Sequence, residues 1–210
     1  IMLGYILFFI FLGMQATIFY FGQKYLGVWR EWIKLTQLSS AYVPFLSAFI
    51  LGSSASLSEE IVFRLFGISW AKRYFRNTIL AVVLTSLIWG FGHSGYAIFP
   101  VWFRGIEVSL MGLLFGFIFI RYGLIPLIVA HYLFDVFWGT AAYILGRSTA
   151  YLFFGSLLIL TIPLAFAIVS WFMSVKKSQG ATAKIIKEEL LHHNWDIALV
   201  DLAISEVFKE

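Results

Sequence analysis

An all-α, polytopic bundle of transmembrane helices is the fold class this sequence predicts, and three observations carry it. Of 210 residues, 61% are hydrophobic and only 12% are charged, where a soluble domain carries charge on about a quarter. The apolar residues fall into runs long enough to cross a ~30 Å hydrocarbon core at ~1.5 Å per residue. Glycine and serine recur inside those runs, as in membrane helices that pack closely.

The composition also excludes function classes. With no cysteine in the chain, disulfides and thiolate metal sites are excluded. The net charge of +4 is modest, and loops supply it under the positive-inside rule. No basic patch interleaves with stacking aromatics, so nucleic acid is not an expected partner. The chain starts on Ile1, which predicts a segment of something longer.

The elements follow in order. Ile1 to Gly22 is the first apolar run. "QKYLGVWREWIKLTQ", with Trp29, Trp32, Lys24, Arg30 and Lys34, has the Trp–Lys–Arg character of an interfacial segment. A second run, Ala41 to Leu51, is expected to break at "GSSAS", a helix-weakening cluster. A new helix is expected to start from a capping box, Ser56 with Glu59, and to end near "AKRYFRN". Further apolar runs are Thr78 to Gly92, Ile106 to Ile120, Leu124 to Leu145 and Tyr151 to Met173. After Met173 the chain turns charged and amphipathic, a partly helical tail outside the bilayer. The expected organisation is therefore 1–37 as an N-terminal helix with an interfacial segment, 38–173 as the core, and 174–210 as the tail.

Counted over these runs, Lys24, Arg30, Lys34, Lys72, Arg73, Arg76, Arg121, Lys176 and Lys177 fall on one side, and Arg104 and Arg147 on the other. The first side is expected to be cytoplasmic. The count depends on a reversal of the chain at "GSSAS".

Ionisable groups are scarce enough to be informative. Between Ile1 and Met173 the carboxylates are Glu31, Glu59, Glu60, Glu107 and Asp135, and the histidines are His93 and His131. Glu31 belongs to the interfacial segment, and Glu107 with Arg104 reads as an exposed interfacial pair. Glu59, Glu60, Arg64, His93, His131 and Asp135 remain, in or at the mouth of apolar runs. Each is costly alone at membrane depth, and mutual compensation in one site is the economical explanation. Glu60 and Arg64 stand at i,i+4 and can pair on one face; Glu59, rotated by about 100°, points elsewhere. His131 and Asp135 are also i,i+4.

Glutamate beside histidine can hold and deprotonate a water. His131, its tautomer fixed by Asp135, can offer a donor to a developing oxyanion. Together these describe amide hydrolysis inside the membrane. The rival is a divalent metal such as zinc on Glu59, His93 and His131, with water as fourth ligand. No H-E-x-x-H is present, and the sequence favours the metal-free site with no cofactor.

"EEIVFR" resembles the E-E-x-x-x-R motif of the CPBP family of intramembrane proteases (CAAX protease and bacteriocin-processing, Abi or Rce1-like). "WGFGH" resembles its F-x-x-x-H motif, and "HYLFD" its H-x-x-x-N/D motif. The similarity spans about Leu38 to Gly139. It implies Glu59 as the base activating water with His93, Glu60 and Arg64 in support, and His131 with Asp135 as the oxyanion-stabilising pair. The departure is Trp89, where the family usually has phenylalanine. CAAX-processing members act on cytosolic tails, whereas the charge count puts Glu59 and His93 nearer the other face; the face stays open.

The expected activity is therefore that of an intramembrane endopeptidase in a multi-pass, prokaryotic cell membrane. Its partners would be the lipid bilayer and a membrane-associated or hydrophobic peptide, prenylated CAAX tails among the candidates. A non-catalytic immunity or scaffold protein is the alternative, and an ion or proton transporter ranks last, since neither inverted repeats nor matched broken helices are visible.

Overall fold

The computed structural model describes residues 1–31, 41–146, 148–178, 182–193 and 195–208. Trp32 and Lys34 of the interfacial segment, and Arg147, lie outside them. Among the described residues the helices are α1 (Met2–Leu26), α2 (Pro44–Phe75), α3 (Thr78–Gly92), α4 (Val101–Tyr122), α5 (Ile125–Leu145), α6 (Ala150–Ser178), α7 (Ala183–His192) and α8 (Ile197–Val207). All but α3, α7 and α8 are long and apolar enough to cross a membrane, so the chain is a multi-pass helical membrane protein. Two short strands, β1 (Trp29–Arg30) and β2 (Ile98–Phe99), pair antiparallel with Trp29 opposite Phe99.

Local chemistry sets the helix ends. Pro44 occupies the first turn of α2, where its missing N–H costs nothing. The Asn77 side chain caps α3 by accepting from the Leu80 amide at 3.0 Å. Gly123, at φ +79°, ends α4 in a conformation that side chains resist.

α2 corrects the sequence reading. No break occurs at "GSSAS" and no helix starts at Ser56. The helix runs on through both, and the Ser56 hydroxyl bonds the Ser53 carbonyl at 3.3 Å instead of capping. Packing overrides the weak propensity of the cluster: Gly52 and Ser56 are buried, and a Cβ on Gly52 would lie 2.8 Å from Val136 of α5. The helix does change pitch, but at Glu60–Ile68, where it widens to a π-helix. Such stretches are rare and concentrate at functional positions.

The continuous α2 also removes the reversal on which the charge count rested. Arg30 pairs with Ile98 beyond the C-terminal end of α3, whereas Lys72, Arg73 and Arg76 flank its N-terminal end. The 15 residues of α3 separate the two groups by ~22 Å. These basic residues therefore do not share a side, and the count does not assign a cytoplasmic face.

The chain forms two compact units, Leu3–Leu160 and Thr161–Glu210 with Ile1–Met2. In the larger, α3 and α4 meet along small residues. A Cβ on Gly90 would stand 2.5 Å from the Ser109 amide nitrogen and 2.6 Å from the Gly105 carbonyl oxygen, and one on Gly112 3.0 Å from Ser86. α2 and α5 pack similarly, with Ala48 against Gly139. α1 contributes Leu7 and Phe11 to a core shared with Trp89, Phe115 and Leu127. In the smaller unit, Val169 and Met173 of α6 are buried with Ile186, Leu190, Val200 and Ala203 of α7 and α8. Lys176 reaches Glu189 at 2.9 Å, and Lys187 reaches Asp201 at 2.5 Å.

Backbone contact at Gly90 predicts the cost of a single methyl there. Gly90→Ala must push α3 and α4 apart, an overpacking expected to cost about 1–3 kcal/mol. Gly13→Ala, whose Cβ would meet nothing within 4 Å, should be neutral. Unfolding temperatures of the two variants in detergent check the contrast.

Candidate active site

The two glutamates stand at the head of the π-helical stretch of α2 and part company at once. Glu60 is fully buried, while the side chain of Glu59 is 27% exposed. Glu60 Oε2 lies 3.2 Å from Arg64 Nε, and Glu60 Oε1 accepts from His131 Nδ1 of α5 at 2.7 Å. His131 Nε2 faces Asp135 Oδ2, one turn on, at 3.4 Å. Two carboxylates thus flank one imidazole. A neutral ring has a single N–H to offer, so both contacts become hydrogen bonds only with a second proton, on the ring or on Asp135. The sequence reading gave His131 to Asp135 alone; Glu60 is a second and closer partner that the local i,i+4 spacing could not reveal.

Glu59 faces α3. His93 closes that helix and its Nδ1 lies 2.8 Å from the Trp89 carbonyl oxygen. A carbonyl only accepts, so Nδ1 carries the proton and the Nε2 of a neutral ring presents a lone pair. That nitrogen looks at Glu59 Oε2 across 3.6 Å. In that tautomer both Glu59 Oε2 and His93 Nε2 are acceptors.

Trp89 joins the two halves. Its indole N–H donates to Glu59 Oε2 at 2.5 Å. Its ring lies under the Arg64 guanidinium, 3.9 Å from the centroid, and meets His93 and His131 edge-on at 5.1 and 5.9 Å. Read as packing from the sequence, it is the residue that reasoning missed; tryptophan at a usual phenylalanine position was the available signal. Tyr96 stacks on His93 at 5.8 Å.

All six nominated residues thus come together, on α2, α3 and α5. The innermost, Glu60, Arg64 and His131, are buried. The outermost, Glu59, His93 and Asp135, are partly open. Among the described residues no group of three or more His, Asp or Glu is arranged to hold a metal ion. Glu59, His93 and His131 do not converge: His131 turns one nitrogen to Glu60 and the other to Asp135.

A second polar cluster corrects another expectation. Glu107 is not an exposed interfacial residue. It is 1% exposed and takes hydrogen bonds from Arg104 and, at 3.1 Å, from Gln15 of α1. The pair ties α1 to α4 from inside.

Removing Arg64 should expose how tightly the inner layer is compensated. Arg64→Ala leaves Glu60 buried with a weakened counter-charge, and breaking a buried pair costs about 3–5 kcal/mol. A large fall in unfolding temperature is expected. Arg64→Ala with Glu60→Gln, which removes the stranded charge as well, should recover part of it.

Residues 41–137, which hold all six site residues, match the family model described as type II CAAX prenyl endopeptidase Rce1-like. The chain is similar to the sporulation-killing factor biosynthesis protein SkfC of Bacillus subtilis, at 24% identity over 128 residues. That alignment takes in 58% of this chain and spans a quarter of the length of SkfC. No solved structure matches. The segment that builds the site, residues 41–137, is thus similar to the Rce1-like CAAX prenyl endopeptidases.

Proposed function

We propose that this chain is an intramembrane endopeptidase that hydrolyses a peptide bond of a membrane-associated or hydrophobic substrate through a glutamate-activated water. The observation that carries the reading is the pair of acceptors, Glu59 and His93 Nε2, facing each other 3.6 Å apart. A polar contact of that length is where a bridging water belongs, and a water donating to both is polarised from two sides.

The chemistry follows from the placement. The water oxygen attacks the scissile carbonyl carbon, forming the C–O bond as its proton passes to Glu59. Charge develops on the carbonyl oxygen, and a doubly protonated His131, held between Glu60 and Asp135, offers Nε2–H to it. Collapse breaks the C–N bond, and the proton held by Glu59 goes to the departing amine. No step needs a metal. Glu60 and Arg64 touch no substrate in this scheme; they hold His131 and the helix around it.

The substrate class rests on two supports. The matched family is described as CAAX prenyl endopeptidases, which favours a prenylated CAAX tail. The relative's name, a biosynthesis protein for a sporulation-killing factor, favours maturation of a precursor in a prokaryotic membrane.

Glu59→Gln and His93→Ala should each abolish cleavage while the protein still inserts and keeps its unfolding temperature. Peptides accumulating with wild type and with Glu59→Gln, compared by mass spectrometry, read this directly. Full cleavage by either variant would sink the proposal, and a cellular phenotype that survives Glu59→Gln would select a non-catalytic immunity or scaffold role. Wild-type cleavage should persist in excess chelator; its loss would restore the metal reading.

A further inference from the structure

Glu59 is one of two adjacent carboxylates, and its neighbour is locked by an arginine and a histidine. Something must keep Glu59 turned the other way. Residues on every element around it face the same small space: Arg64 and Glu60 on α2, Trp89 and His93 on α3, Tyr96 in the following turn, and His131 and Asp135 on α5. Only one direct hydrogen bond to the Glu59 carboxylate is formed among these, from Trp89 Nε1 to Oε2 at 2.5 Å. The donor is itself fixed. Trp89 is 5% exposed, lies within α3, and has its ring pressed against Arg64 and Phe115.

We infer that Trp89 is a positioning residue that holds the Glu59 carboxylate in place for the water. The indole N–H donates to Oε2, the oxygen that faces His93 Nε2, and so fixes that oxygen across the gap where the water is polarised. Because Trp89 also carries the Arg64 guanidinium on its ring, it sets the catalytic carboxylate and the buried ion pair from one rigid plane. Phenylalanine, the residue usual at this position of the family, has the ring but no N–H. This inference rests on the hydrolytic reading for its catalytic consequence, but the anchor itself is independent of it.

The test separates ring from donor. Trp89→Phe keeps an aromatic plane, and replacement of Trp89 by benzothienylalanine keeps the full bicyclic shape with sulfur in place of N–H. A hydrogen bond to a charged group corresponds to roughly tenfold in rate, so both variants should lose about tenfold in kcat with KM held. Full kcat in the benzothienylalanine protein would overturn the proposal, because shape alone would then suffice. A second readout needs no activity. In protein labelled with ¹⁵N at the indole, the Trp89 N–H resonance, assigned by its loss in Trp89→Phe, should move on Glu59→Gln. An unmoved resonance overturns the anchor. If the wild type cleaves nothing, the hydrolytic reading falls while the resonance still decides the anchor.

Discussion

Glu60 is the constraint from which the rest of the site follows. A carboxylate with no exposed surface is tolerable only if it is compensated, and here it is: Arg64 Nε stands 3.2 Å from Oε2 as an ion pair without hydrogen-bond geometry, and His131 hydrogen-bonds Oε1. The first partner is one turn along the same helix, and the second lies across the α2–α5 contact. The ion pair therefore does more than neutralise a charge. It fixes the rotation of α2 against α5, and with it the direction in which the next residue back, Glu59, must point. The close approach that permits this comes from Ala48 and Gly52 against Gly139 and Val136. Small residues, weak helix formers in water, here set the distance between charges.

The second half of the site depends on a different seam. His93 is delivered by α3, and α3 is held to α4 by near-contact of backbone at Gly90, Gly105 and Ser109. A displacement of that helix by an ångström would change the gap between Glu59 and His93 Nε2 as much as it would change the helix packing. Trp89 couples the seams, since it sits on α3, bonds Glu59 of α2 and lies edge-on to His131 of α5. The buried Gln15–Glu107–Arg104 group adds α1 to the same frame.

The long helices were legible in the sequence because apolar run length is a strong signal; α5, Ile125–Leu145, begins within one residue of the expected run and ends with it. The candidate residues were legible for the opposite reason, since charge is rare in such a chain and expensive where it occurs. What failed were inferences from local propensity. "GSSAS" reads as a break because glycine and serine favour turns in water, but among tightly packed helices the same residues permit contact. Glu107 reads as exposed beside Arg104, because its partner Gln15 lies on a helix 92 residues away in the chain. The second bond of Glu60 and the indole bond to Glu59 were hidden for the same reason: both are set by packing between helices rather than by spacing along one.

The shortness of α3 ties the fold to the chemistry. Fifteen residues rise ~22 Å, less than the ~30 Å hydrocarbon thickness. A helix of that length that starts at one edge of the layer, as the basic Lys72–Arg76 segment beside its N-terminus would suit, ends inside it. Irregular backbone at such depth is sustained only where protein covers it or water reaches it. Residues 93–97 are that backbone, and they are framed by β1 and β2 on one side and by Tyr96 stacked on His93 on the other. A full-length span would have carried His93 past the carboxylates of α2. A short one sets its imidazole level with Glu59. The same truncation brings the histidine to the glutamate, with His93 Nε2 3.6 Å from Glu59 Oε2.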